Sequence, residues 1–181
     1  MRHIDNWDNI QEAGSYDNPA PGAYLARITR VEDREDKEYL RIEWDFAEGA
    51  YQGANRETYD RAGFWPTVLI RSYKEKALPF FKGFKTAVEQ SNPGYTFDDR
   101  SPDGLVGRIV GVVLGEEAYV KSNRAQGRRL YVAETRSLDA IRRGDFTVPP
   151  FKPLSSGGSG QAPAQGPAFQ PMEDDDGELP F

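Results

Sequence analysis

Lys37-Glu38-Tyr39-Leu40-Arg41-Ile42-Glu43-Trp44-Asp45-Phe46 alternates without a break. Leu40, Ile42, Trp44 and Phe46 fall on one side of an extended chain, and Tyr39, Arg41, Glu43 and Asp45 on the other. A period of two is the mark of a strand with one buried face. The apolar parity assigns Trp44 to the core. Upstream, the polar run Asp33-Arg34-Glu35-Asp36 separates this strand from a second apolar stretch, Gly22 to Val31, so the two read as a hairpin.

Working outward, residues 1–21 hold Asn18-Pro19-Ala20-Pro21, a turn-rich lead-in. After a Gly49–Gly53 loop, Arg56 to Tyr59 and Thr67 to Arg71 are expected to supply a third, interrupted strand. The period then changes. Pro79 suits a first helical turn, and Phe80, Phe81, Phe84, Ala87 and Val88 gather on one side of a helix ending at Asn92-Pro93-Gly94. Leu105 to Leu114 and Gly127 to Thr135 read as two further strands, followed by a short helix over Ser137 to Arg143. Three strands, a helix and two strands predict a mainly β fold: a five-stranded barrel of the oligonucleotide/oligosaccharide-binding (OB) type, with its helix between strands three and four.

The division of charge points to a partner. The net charge is −6, yet residues 56–143 carry sixteen Lys/Arg against eleven Asp/Glu, while both flanks are acidic. A local basic surface, not the overall balance, governs attraction of a polyanion. No cysteine is present, which excludes disulfides, cysteine–zinc sites and thiol nucleophiles. The polar N-terminus and the shortness of the apolar runs predict a soluble, intracellular protein with no membrane contact.

Binding a single nucleic-acid strand without reading its sequence takes cations along the phosphates and rings against the bases. The segment Tyr119 to Tyr131 offers Lys121, Arg124, Arg128 and Arg129 with no acid, flanked by two tyrosines. Arg41, Arg71 and Lys74 extend the set of candidate phosphate contacts. Tyr119, Tyr131, Tyr39, Trp65 and Tyr73 are the candidate stacking rings. Trp65 precedes Pro66, which favours extended backbone and a ring presented on a loop. Phe64 and the helical phenylalanines are expected in the core. The bland alternative for the basic segment is a solvated hairpin with cations at its turn.

The chain beyond Leu154 changes character. Residues 155–171 are small, polar and uncharged, a flexible linker after a domain of residues 1–154. The eighteen residues from Ser155 to Met172 give a coil spanning roughly 23 Å. The last ten residues, 172–181, put Glu173, Asp174, Asp175, Asp176 and Glu178 before a terminal Leu179-Pro180-Phe181. Ring and α-carboxylate end the chain together, a combination that an apolar pocket rimmed by Arg or Lys can recognise.

This tip resembles that of bacterial single-stranded DNA-binding proteins. The run Pro19-Ala-Pro-Gly-Ala-Tyr24, the hairpin through Trp44-Asp45-Phe46, and Gly49-Ala-Tyr51-Gln-Gly53 are similar to phage-encoded single-stranded DNA-binding proteins of the OB type. The resemblance implies a stoichiometric, cofactor-free binder of single-stranded DNA in the host cytoplasm. Its tip would recruit replication and recombination proteins.

Two other readings stand beside it. One is an OB-like module that binds protein and has no affinity for DNA. The other is a metal-dependent nuclease built on Glu35-Asp36-Lys37 with Asp33 nearby, although those residues read as a single exposed turn. Histidine chemistry is improbable with His3 alone, and no Gly-rich phosphate loop with its Lys-Ser/Thr occurs. Asp174 to Asp176 lack the spacing and glycine of a calcium loop.

Overall fold

The computed structural model describes residues 19–154. The linker and the tip residues Glu173, Asp174, Asp175, Asp176, Glu178, Leu179, Pro180 and Phe181 lie outside the described residues, as does His3. Five strands form one antiparallel sheet: β1 (Gly22–Arg34), β2 (Tyr39–Phe46), β3 (Val68–Ser72), β4 (Ile109–Val120) and β5 (Gln126–Arg136). Three helices, α1 (Ala54–Ala62), α2 (Leu78–Ser91) and α3 (Leu138–Arg143), complete it. The strand order is β3-β2-β1-β4-β5. Among the described residues, no helix is long and apolar enough to cross a membrane.

The apolar face of β2 is buried as expected, although Glu43 and Asp45 on the opposite face are buried as well. Leu40, Ile42, Trp44 and Phe46 are buried in one core with Ile28, Leu69, Phe84, Val88, Val112 and Leu114. β1 is paired on both sides: its first half meets β4, Gly22 opposite Leu114 to Arg27 opposite Ile109. Most of its length meets β2, with a register shift between Ile28 and Arg30. A bulge at that point bends the strand, so one long strand can serve both halves of a curved sheet.

Residues 54–62 depart from the expectation of a strand at Arg56–Tyr59. They form helix α1, bounded by Gly53 and Gly63 at φ +83° and +77°. The cause is not local. The Asp45 carboxylate, reaching from β2, accepts from the backbone N–H of Asn55 at 3.0 Å and of Arg56 at 3.2 Å. It thus satisfies donors that a helix start leaves unpaired. Burial raises the Asp45 pKa, and these N–H bonds, with one from Phe46, offset part of that rise.

Helix α2 follows its predicted span closely and buries Phe84, Ala87 and Val88. Phe80 corrects the expectation of a core residue, being 46% exposed. Beyond α2, the Asn92 side chain bonds both backbone groups of Ile109, at 2.7 and 3.0 Å. Strand β4 accordingly starts there, and not at Leu105, which lies in a short 3-10 turn.

Closure of the sheet is the second departure. β3 and β5 are its two edges, and no ladder of hydrogen bonds joins them. Helix α2 packs against β3, β4 and β5. Across the seam, Arg71 Nη2 donates to Thr135 Oγ1 at 3.3 Å.

Candidate nucleic-acid interface

Two structural arms leave the same end of the sheet, where β2 finishes at Phe46. One arm is α1 with its flanking loops. It is held by the Trp44 carbonyl, which accepts from Asn55 Nδ2 and from Trp65 Nε1, both at 2.9 Å. Trp65 is half-buried and its ring lies 5.6 Å from that of Tyr59. Phe64, expected in the core, is instead 58% exposed. It adjoins Gly63, where the chain leaves α1, so its side chain falls outside the packed layer.

The other arm is the outer half of the β4–β5 hairpin, which continues past the last β1–β4 pair, Gly22 opposite Leu114. A C-terminal segment joins it along the free side of β4. Lys152 N–H donates to the Glu116 carbonyl at 3.0 Å, and Ala118 N–H to the Lys152 carbonyl at 2.8 Å. The arm is therefore three chains wide at this level, stiffer than a bare hairpin.

Between the arms runs a groove of about 780 Å³, lined by Tyr51, Arg61, Phe64, Glu116, Arg128, Arg129 and Leu130 among others. Three arginines face two acids there, Glu57 and Glu116. Arg128 lies 3.3 Å from Glu116, and Arg129 2.7 Å from Glu117. Both arginines are largely exposed, so these pairs are weak and exchangeable for a phosphate.

Neither Tyr119 nor Tyr131 lines this groove. Tyr119 and Tyr131 share a face with Arg129, opposite to Leu130 and Arg128. Each tyrosine sits across from a glycine, Tyr131 from Gly115 and Tyr119 from Gly127. A Cβ at either glycine would meet the ring at 2.7 Å, so the rings lie down over the neighbouring strand. Lys152 Nζ stands 4.1 Å over the Tyr131 ring, and Arg129 Cζ 5.6 Å over Tyr119. Lys121 and Arg124 are exposed at the hairpin tip, Arg124 with φ +62°.

The remaining candidates lie toward the far end of the sheet, roughly 17–23 Å away along β2. Tyr39 is half-buried opposite Arg34 and Ser72. Arg41 donates to Glu43, which also lies 3.9 Å from Arg30. Tyr73 donates its hydroxyl to Asp33 at 2.8 Å, and burial together with that bond pushes its pKa up to about 12. Lys74 is exposed beside it. Arg71 is turned into the β3–β5 seam with its guanidinium 5.6 Å from the Phe84 ring, and burial lowers its pKa to about 10. Glu35, Asp36 and Lys37 are exposed on the β1–β2 turn.

A larger groove of about 1520 Å³ opens at this far end over Leu40, Phe81 and Phe97. Its rim carries Asp33, Glu35, Glu75, Asp98 and Asp99 against Lys82, Lys85 and Arg100. That balance disfavours a polyanion, and the smaller groove suits one better. Sequence reasoning missed the groove-lining residues Arg61 and Tyr51. The signal available for the first was the pair of glycines framing a helix-compatible run. The chain matches no protein-family model and no curated protein.

Proposed function

We propose that this protein binds single-stranded DNA through the groove between α1 and the β4–β5 arm, as a sequence-nonspecific coating protein without catalytic activity. One observation carries the reading: Arg61, Arg128 and Arg129 line a groove that also presents Tyr51 and Phe64. Cations for phosphates and rings for bases are what an unpaired strand requires. The strand order, with β1 at the centre and β3 and β5 meeting at a seam, supports an OB-type barrel completed by side chains and α2 in place of a final ladder.

In this reading Lys121 and Arg124 extend the phosphate path beyond the groove. The acidic tip at Glu173–Phe181 competes for the same arginines when DNA is absent and is released to recruit replication or recombination proteins when it binds. A phage origin and a site of action in the host cytoplasm accord with the resemblance of the Pro-Gly-x-Tyr and Gly-x-Tyr-x-Gly motifs.

The test is a mobility shift with oligo-dT and with a duplex of equal length, at two salt concentrations. The reading expects salt-sensitive binding that favours the single strand. Equal binding of both would point to a generic cationic surface. The larger groove over Leu40, Phe81 and Phe97 favours a second reading, a protein-interaction module, which expects no shift with either nucleic acid.

A further inference from the structure

Phe151 is 40% exposed although it belongs to a segment tied to β4 by two backbone hydrogen bonds. The ring is thus carried on backbone that the sheet holds in place, with part of its surface open to water. Among the described residues Arg128 lies close to it, its guanidinium carbon 4.7 Å from the ring centroid. Arg128 is also a lining residue of the groove, as is Phe64, the most exposed phenylalanine of the described residues. The groove thus has one open phenyl ring in its lining, Phe64, and a second, Phe151, next to it in contact with the lining residue Arg128.

We propose that Phe64 and Phe151 are nucleobase-stacking residues, Phe64 from the α1 arm and Phe151 from the C-terminal segment, with Arg128 bridging a base on Phe151 and the adjacent phosphate. This rests on the reading of the groove as a single-strand site and assigns the ring contacts within it. The face bearing Tyr119 and Tyr131 is secondary, because those rings already lie against Gly127 and Gly115. Residues after α3 consequently belong to the binding surface and do more than lead into the linker. The bases need no sequence identity, since every base offers a π face to a phenyl ring.

The experiment compares wild-type protein, Phe64→Ala and Phe151→Ala with two probes of equal length, oligo-dT and an oligonucleotide carrying abasic sites throughout its centre. Stacking of roughly 1–3 kcal/mol per base corresponds to a loss of about 5- to 150-fold for oligo-dT in each variant. The abasic probe should bind all three proteins alike, because its phosphates are intact. Phe151→Leu, which keeps apolar bulk without an aromatic face, should behave like Phe151→Ala. Unchanged oligo-dT affinity in both alanine variants would overturn the assignment while leaving the single-strand site standing. Equal loss on both probes would also overturn it, by showing a general disturbance of the arms. Absence of oligo-dT binding by the wild-type protein would remove the site itself.

Discussion

Arg71 Nη2 and Thr135 Oγ1 meet at 3.3 Å across 64 residues of chain, from β3 to β5, where the two edges of the sheet come together. A side-chain bond here takes the place of a backbone ladder. The Arg71 Nε is buried without a partner, and burial lowers the guanidinium to about 10. The charge is therefore a burden on the fold, whereas the stem and the hydrogen bond support it. Arg71→Ala should cost about 1–3 kcal/mol in a denaturant melt, from the lost contact and an unpaired Thr135. Arg71→Met keeps the apolar stem near Phe84 without the buried charge and should recover most of that loss. Neither variant should change affinity for oligo-dT more than about twofold, since Arg71 lies in the seam and not in the groove.

Arg128 and Glu116 form an exposed pair on the groove wall. An incoming phosphate must compete with that carboxylate. Glu116→Gln should raise affinity for single-stranded DNA about two- to fivefold at low salt, the scale of an exposed ion pair. Arg128→Ala should lower affinity and reduce the slope of log affinity against log salt by about 0.7, the value for one phosphate contact on a single strand. Binding isotherms at four salt concentrations measure both effects.

Arg124 holds a left-handed backbone conformation, φ +62°, in the turn between β4 and β5. Glycine adopts that region without the steric penalty of a Cβ. Arg124→Gly should stabilise the protein by about 0.5–1 kcal/mol and at the same time weaken DNA binding by a few fold. Opposite signs for stability and affinity would identify the side chain as retained for binding. A melt and a titration on the same sample decide it.

Tyr73 and Asp33 are linked at 2.8 Å at the far end of the sheet. Because the folded-state pKa of Tyr73 is raised to about 12 from 10.0, its neutral form is favoured by folding. Stability from this bond is fully present below about pH 10 and falls as pH rises from 10 to 12. The tyrosinate absorbance of the wild-type protein should show a late step near pH 12 that Tyr73→Phe lacks. Over the same range the variant should lose less stability than the wild type.

Much of the sheet was legible because its signals are local. The alternation of β2, the polar turn before it and the apolar face of α2 each state their structure within about ten residues. Helix α1 was not legible in the same way. Its start is satisfied by Asp45, on another element, and Thr58 and Tyr59 have ordinary strand character. The site was legible as a collection of residue types and not as an arrangement. Arg128 and Arg129 were found by their charge. The groove they border, however, depends on where Gly63 directs Phe64 and on the docking of Lys152 beside Glu116, which no local pattern records. Tyr39, Arg41, Tyr73 and Lys74 satisfy the same compositional rule yet stand at the other end of β2, where acids outnumber bases.

The most direct test of the account is a tryptophan-fluorescence titration of the full chain with oligo-dT and with a matched duplex, repeated for the Arg128→Ala/Arg129→Ala double variant. Trp65 lies in sequence between the groove-lining residues Phe64 and Pro66 and should report on a ligand there. The account predicts tight, salt-sensitive quenching by the single strand, a weak response to the duplex, and at least tenfold weaker binding in the variant, as two lost charged contacts require. No response to either nucleic acid, with no shift in mobility, would contradict it.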